Sequence, residues 1–432
     1  MYVREMTVEP YQDESKEKEA NEENTESENP FRGLKVALSL GSFLGSFPFS
    51  VTGPGVTIAF SWRSIPLLWT SFLFVLYAID AVVFFLGLAR KMILFFLPMP
   101  DLSRGMQAKT DDLEAQGNSG ISAEIIAIQR VTQRLFYLTV IASAMAHREA
   151  LARAITSVSQ LARTDLTLQR DLLCGYFTIQ TTLLSTFFAL NRSLFRAMSW
   201  SQWILFIIHK MVTTNALAFY APLYALHARV LARSLFDLKL DLEGYRVNCF
   251  LARARYREIR DAVRSLNEGF GLVIIMLHGY IAYTLVEQLY LMASLADNSE
   301  SINMAPKLGS ALTSASRIAV DIAILLIINW PAQRFLDRDM ELRERVTDME
   351  SYEDTGTHKR ESSAWTSTFK FQSGGLGSIE KNQQMVLTAA GYLNLGKRLI
   401  MKAFGTVVSY TVLLVQFRQA EIVRGAVQPC NR

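Results

Sequence analysis

The stretch LIMKAFGTVVSYTVLLVQF, from Leu399 to Phe417, decides the reading of this chain. It is apolar over a helix length and closes on a small polar set, Ser409, Tyr410, Thr411 and then Gln416 beside Phe417. A bilayer crossing needs about 20 apolar residues at 1.5 Å each, so this segment is long enough to span. Ser409 and Gln416 lie seven apart, as do Tyr410 and Phe417, which puts each pair near one helix face. Polar groups on one face of a membrane helix point that face toward protein or water rather than lipid. Periodicity alone favours helix–helix packing for such a face.

The rest of the chain fits a membrane setting. Half of its 432 residues are apolar and 19% are charged, with the apolar ones gathered into runs. The expected spans are Ile65–Leu88, Val131–Ala146, Leu172–Leu190, Trp203–Leu226, Phe270–Leu295, Leu312–Trp330 and Leu399–Phe417. Pro331 is expected to cap the sixth. Phe31–Ser50 is apolar but broken by Gly41, Gly45 and Pro48, so residues 31–64 read as re-entrant or interfacial. Residues 1–30 hold ten acidic and three basic side chains and read as a disordered tail. No cleavable signal peptide is expected.

Seven spans put the two ends on opposite sides, and loop charge chooses between them. Alternate loops carry four, nine and ten Lys or Arg, against about five, two and one in the other set. That asymmetry places the N-terminus in the cytosol and the C-terminal tail, 418–432, outside. The sequon Asn191-Arg192-Ser193 falls on the outer side, making Asn191 a glycosylation candidate. The expected class is therefore an all-α polytopic membrane protein.

Two cytosolic stripes extend the spans. Leu231, Leu235, Leu238 and Leu242 recur at helical spacing, and Tyr256, Ile259, Val263 and Leu266 repeat the pattern, giving cytosolic helices over 229–267. Within the cytosolic loop 331–398, residues 352–381 read as a flexible insertion. Helix is then expected from Asn382 to Leu395.

Enzyme signatures fail. Gly391-Tyr-Leu-Asn-Leu-Gly396-Lys397 spells seven positions of a phosphate-binding loop, but Arg398 stands where Ser or Thr must hold magnesium. Five histidines and three distant cysteines show no metal-ligand spacing. No enzyme, cofactor or metal is expected, and a net charge of +4 is too small to imply nucleic acid.

Ionisable groups inside spans cost about 2.5–3.5 kcal/mol each on insertion scales, so they face water or a partner. Asp80, His209, Lys210, His278, Glu287, Arg317 and Asp321 are such groups. On the topology above, His209, Lys210, Glu287, Arg317 and Asp321 lie in the outer halves of their spans, with Trp203, Tyr283 and Tyr290 at similar depth. Aromatic rings beside a few charged groups suit a pocket for a small polar ligand. Buried salt bridges, Arg317 with Asp321 first, explain the same residues.

The closing segment also carries a resemblance. Ser409-Tyr410-Thr411-Val412-Leu413-Leu414-Val415-Gln416-Phe417 resembles the signature of the insect gustatory receptor family, Thr-Tyr, five mostly hydrophobic residues, then Gln-Phe. Tyr410, Gln416 and Phe417 are identical to it, while Ser409 replaces Thr and Thr411 is polar at a hydrophobic position. The run Gly391–Arg398 is similar to that family's lead into its last helix. The resemblance implies a ligand-gated, non-selective cation channel of four subunits, homo- or hetero-tetrameric, opened by a small-molecule tastant in the plasma membrane of chemosensory neurons. It further implies that the last helix lines the pore, with Gln416 and Phe417 at its outer mouth and gate, and that cytosolic helices form an anchor between subunits. Thr411 stands where sugar-sensing members commonly carry Glu. Two other classes stay open, a G-protein-coupled seven-helix receptor and a polytopic transporter. The loop charges oppose the first, and no internal repeat supports the second.

Overall fold

A computed structural model describes residues 32–44, 47–52, 57–59, 64–96, 120–161, 174–182, 184–185, 200–243, 249–297, 304–354 and 385–427. The acidic tail, Asn191, most of the 352–381 insertion and the last five residues lie outside the described residues. Among the described residues the helices are α1 (Arg32–Phe43), α2 (Ile65–Phe96), α3 (Gly120–Ala146), α4 (Arg148–Leu161), α5 (Trp200–Glu243), α6 (Cys249–Asp297), α7 (Met304–Asp354) and α8 (Lys397–Val427), with a further helical stretch over 174–182. Two short antiparallel hairpins join them, β1 (Ser50–Thr52) with β2 (Thr57–Ala59) and β3 (Thr388–Ala389) with β4 (Leu393–Asn394).

Described helix falls on each of the seven expected spans. Among the described residues, stretches of α2, α6, α7 and α8 are long and apolar enough by themselves to cross a bilayer. The outer face of α2 agrees with that setting, since Leu68, Phe72, Val75, Ile79, Val82 and Leu86 form an exposed apolar stripe. In water such a stripe would be a liability; against lipid it is the expected surface. The chain is a multi-pass membrane protein.

Helix α6 is the hub, packing on α3, α4, α5, α7, α8 and the second hairpin. Its 49 residues and the 51 of α7 each reach roughly 75 Å at 1.5 Å per residue, against about 30 Å of hydrocarbon. Both helices must therefore run well beyond the membrane. Where they do, the two stripes read from the sequence are buried: Leu231, Leu235, Leu238 and Leu242 on α5, and Tyr256, Ile259, Val263 and Leu266 on α6. Ion pairs tie the same extensions together, Lys239 to Glu341 at 3.2 Å and Arg255 to Asp241 at 2.7 Å.

Two local expectations are corrected. Pro331 does not cap a helix: it sits inside α7, which continues to Asp354. A proline in a helix interior costs about 3 kcal/mol through a lost hydrogen bond and a ring clash. Beyond it, Ala332, Phe335, Leu342 and Val346 are buried, and each large apolar side chain contributes about 1.5–3 kcal/mol. Packing outweighs the local penalty.

The second correction is the stretch Asn382–Leu395, expected as helix. Its described part is the β3–β4 hairpin, with Thr388 opposite Asn394 and Ala389 opposite Leu393. Ala390 and Gly391 hold φ of 50° and 75° at the turn, a region glycine adopts freely and that ends any helix. The phosphate-loop look-alike Gly391–Lys397 is thus a hairpin turn, a strand and the entry to α8.

Candidate functional site

The expected pocket residues of α6 and α7 come together. Arg317 Nε donates to Asp321 Oδ2 at 3.2 Å, one helical turn on, and the Thr284 hydroxyl of α6 donates to the same oxygen at 2.8 Å. Tyr280, one turn before Thr284 on α6, lies within electrostatic reach of Arg317. Glu287, one turn beyond Tyr283 on α6, lies within electrostatic reach of both Arg317 and Asp321. Asp321 is fully buried and Glu287 is 3% exposed, so these charges are held away from solvent. The ion pair expected from the i, i+4 spacing is real, and it accounts for only part of the cluster.

An aromatic wall stands beside these charges. Tyr280 stacks on Phe136 of α3 with ring centroids 4.6 Å apart, and Tyr283 hydrogen-bonds to Thr132 of the same helix. Three helices therefore converge on one polar centre. Trp203 and His209 lie on α5, and their side chains fall outside the described residues. Sequence reasoning missed Thr284, Tyr280 and Phe136. Thr284 carried a signal, since a hydroxyl three residues from Glu287 on an otherwise apolar helix invites a partner, but hydroxyls are common in membrane helices.

Helix α8 presents the opposite picture. Over Lys397–Phe417 only 6% of the span is buried within the chain. Phe417 is 68% exposed and Tyr410 59% exposed, and Gln416 is exposed beside them. Ser409 and Thr411 turn their hydroxyls back onto the helix, donating to the Gly405 and Val407 carbonyls at 2.9 Å each. The signature residues therefore make no bond to another helix of this chain through those hydroxyls; their outward surface is open.

The base of α8, by contrast, is pinned. Asn267 of α6 donates to the Val386 carbonyl at 3.0 Å and accepts from the Thr388 amide at 2.9 Å, clamping the hairpin's first strand from both sides. Asp339 of α7 accepts from the Met385 amide at 3.2 Å while holding Tyr256 and Arg343. Asn329 of α7 accepts from the Gly396 amide at 3.2 Å, and its amide nitrogen lies 2.9 Å from His278 Nε2 of α6. Gln333 accepts from the Lys397 amide, the first residue of α8. Gly271 of α6 allows the closest approach: a Cβ there would come within 2.4 Å of the Ala390 nitrogen. None of this latch was read as functional from the sequence, because its polar residues bond backbone groups that are distant in the chain.

No family description and no curated protein matches this sequence. Solved structures do. The insect olfactory receptor OR5 from Machilis hrabei matches with a TM-score of 0.55 at 10% identity, over 89% of this chain and 97% of that one. The chain has an insect olfactory receptor fold. The same receptor in complex with eugenol matches with a TM-score of 0.54 at 8% identity over the same shares. At such identity the likeness speaks for the olfactory receptor fold and leaves the chemistry of each site to the residues themselves.

Proposed function

We propose that this chain is one subunit of a ligand-gated, non-selective cation channel of chemosensory cells, opened from outside by a small-molecule tastant. The observation that carries the proposal is α8: a span apolar enough for a membrane, all but bare in its own subunit, and ending on Gln416 and Phe417. A helix left so exposed needs lipid or further subunits to cover it, and a polar Gln416 is costly against lipid. Four copies around an axis, identical or from related chains, would give Gln416 and Phe417 a shared lumen. A ring of Phe417 closes it by excluding water, and a ring of Gln416 offers oxygens to a passing cation. Tyr410, exposed on the same helix face as Phe417, packs against the neighbouring subunit.

The ligand enters the α3–α6–α7 cluster of Tyr283, Glu287, Arg317 and Asp321, with Trp203 and His209 contributed by α5. The link between cluster and pore is mechanical. Helices α6 and α7 carry the ligand groups, and the same two helices hold the base of α8 through His278, Asn329 and Gln333. A ligand that shifts α6 against α7 changes the seating of α8 by its differential contacts with the two arrangements. The olfactory receptor fold and the gustatory signature support the same reading. Whole-cell recording with a tastant panel tests it. Ligand-opened cation current is expected, and saturating substrate-coupled flux or an extracellular N-terminal tag overturns it.

A further inference from the structure

The α6–α7 cluster holds more acceptor charge than its own bonds use. Two carboxylates, Glu287 and Asp321, share one guanidinium, Arg317, whose Nε bonds Asp321 Oδ2 at 3.2 Å. Thr284 serves the same oxygen. Among the described residues, three buried atoms of this set have no protein partner: Glu287 Oε2, Asp321 Oδ1 and Arg317 Nη2. Glu287 is 3% and Asp321 0% exposed, so water supplies little in place of those bonds. An unmade bond to a buried charged group is among the larger penalties a fold carries.

The unmet set has a definite complement. Two carboxylate acceptors ask for a cation with several donors, and an ammonium offers three donors and no acceptor. The free guanidinium nitrogen asks for one acceptor close by. A neutral polyol could also donate to these oxygens, but it needs one hydroxyl for each, where a single ammonium carries three donors on one atom. Rings of Tyr280 and Phe136 stand alongside, and aromatic faces attract an ammonium further. The cluster is not sealed on every side, since the Arg317 side chain is 15% exposed and Tyr283 is half-buried.

We propose that this cluster binds a small primary amine, its ammonium between Glu287 and Asp321 and its neighbouring hydroxyl or carboxylate on Arg317. This rests on reading the cluster as the ligand site and names the ligand class for it. The test uses the full chain, purified for thermal unfolding and expressed in cells for recording. The probes are phenylalaninol, phenylalanine and ethanolamine, each paired with the analogue in which a hydroxyl replaces the amine, which keeps the size and removes the ammonium. The amines are expected to raise the unfolding temperature and the hydroxyl analogues to act at least tenfold more weakly. Glu287→Gln should weaken amine binding by about ten- to a hundredfold, the worth of one charge-assisted bond, with Glu287→Asp retaining part of it. Equal binding of the hydroxyl analogues, or no amine effect on the native protein, overturns the proposal without any variant having to fold. Amine binding without current supports the ligand class and defeats the channel reading. Current evoked only by neutral compounds does the reverse.

Discussion

Helices α6 and α8 are both apolar enough to cross a bilayer, yet they are buried in opposite ways. The α6 span is 61% buried within the chain and the α8 span 6%. Helix α6 meets its polar needs across helix boundaries, as Thr284 does with Asp321, Asn267 with the hairpin and His278 with Asn329. Helix α8 meets its own within one turn, through Ser409 and Thr411. Equal hydropathy thus conceals two different partners. One helix is finished by its own subunit, and the other must be finished by something outside it. Substitutions on α6 and α7 should therefore be read in stability, and those at the end of α8 in current.

The largest expected effect breaks the buried charge pair. Asp321→Ala leaves Arg317 buried without its partner and should destabilise by about 3–5 kcal/mol, read as lost surface protein and a lower unfolding temperature. Pairing it with Arg317→Met should recover much of that loss. Near-native surface levels for Asp321→Ala alone would remove the cluster from the α6–α7 core. Next, Gly271→Ala forces a Cβ within 2.7 Å of the Ala390 Cα, backbone that cannot swing aside, at about 1–3 kcal/mol. Its folded population should fall measurably on size-exclusion analysis. An unchanged profile would mean the hairpin is not seated on α6.

Asn329→Ala sharpens the contrast at the joint between the two regions. It strips a partner from the Gly396 amide and from His278, a loss of about 1–3 kcal/mol. Ligand-evoked current per surface channel should drop more than surface expression does. Proportionate loss of both would make the latch purely structural. The smallest stability effect belongs to Phe417→Ala, within about 0.5 kcal/mol of native because its ring is exposed in the subunit. Its resting current should nevertheless rise, and unchanged resting and evoked currents would remove Phe417 from the gate.

Much of the architecture was legible because membrane spans and amphipathic stripes are local, periodic signals. The stripe of Leu231 to Leu242 needs only 3.6-residue spacing to be seen. Pro331 was misread for the opposite reason, since local propensity says stop while the buried side chains after it, Phe335 and Leu342, say continue. The hairpin was missed because Met385, Leu387 and Ala389 are buried in alternation while the intervening Val386 is itself apolar. A period of two is hidden where three apolar residues, Met385 to Leu387, stand in succession. Of the candidate site, Arg317 with Asp321 was visible from spacing. Thr284, Tyr280 and Phe136 were not, since nothing in a one-dimensional pattern states which turn of α6 faces which turn of α3 or α7.

The sequence by itself determined that the chain enters the membrane repeatedly, that α5 and α6 carry amphipathic stripes beyond it, and that one closing segment carries Gln416 and Phe417 on its last turn. These follow from hydropathy and helical period, which are properties of neighbours in the chain. Only the tertiary structure decided that α6 lies at the centre, that Glu287 is short of a partner among the described residues beside Arg317 and Asp321, and that α8 is gripped at its base by Asn329 and Gln333 and bare above it. Such facts depend on contacts between residues far apart in sequence, where packing and hydrogen-bond geometry, rather than propensity, choose among many patterns of equal local merit.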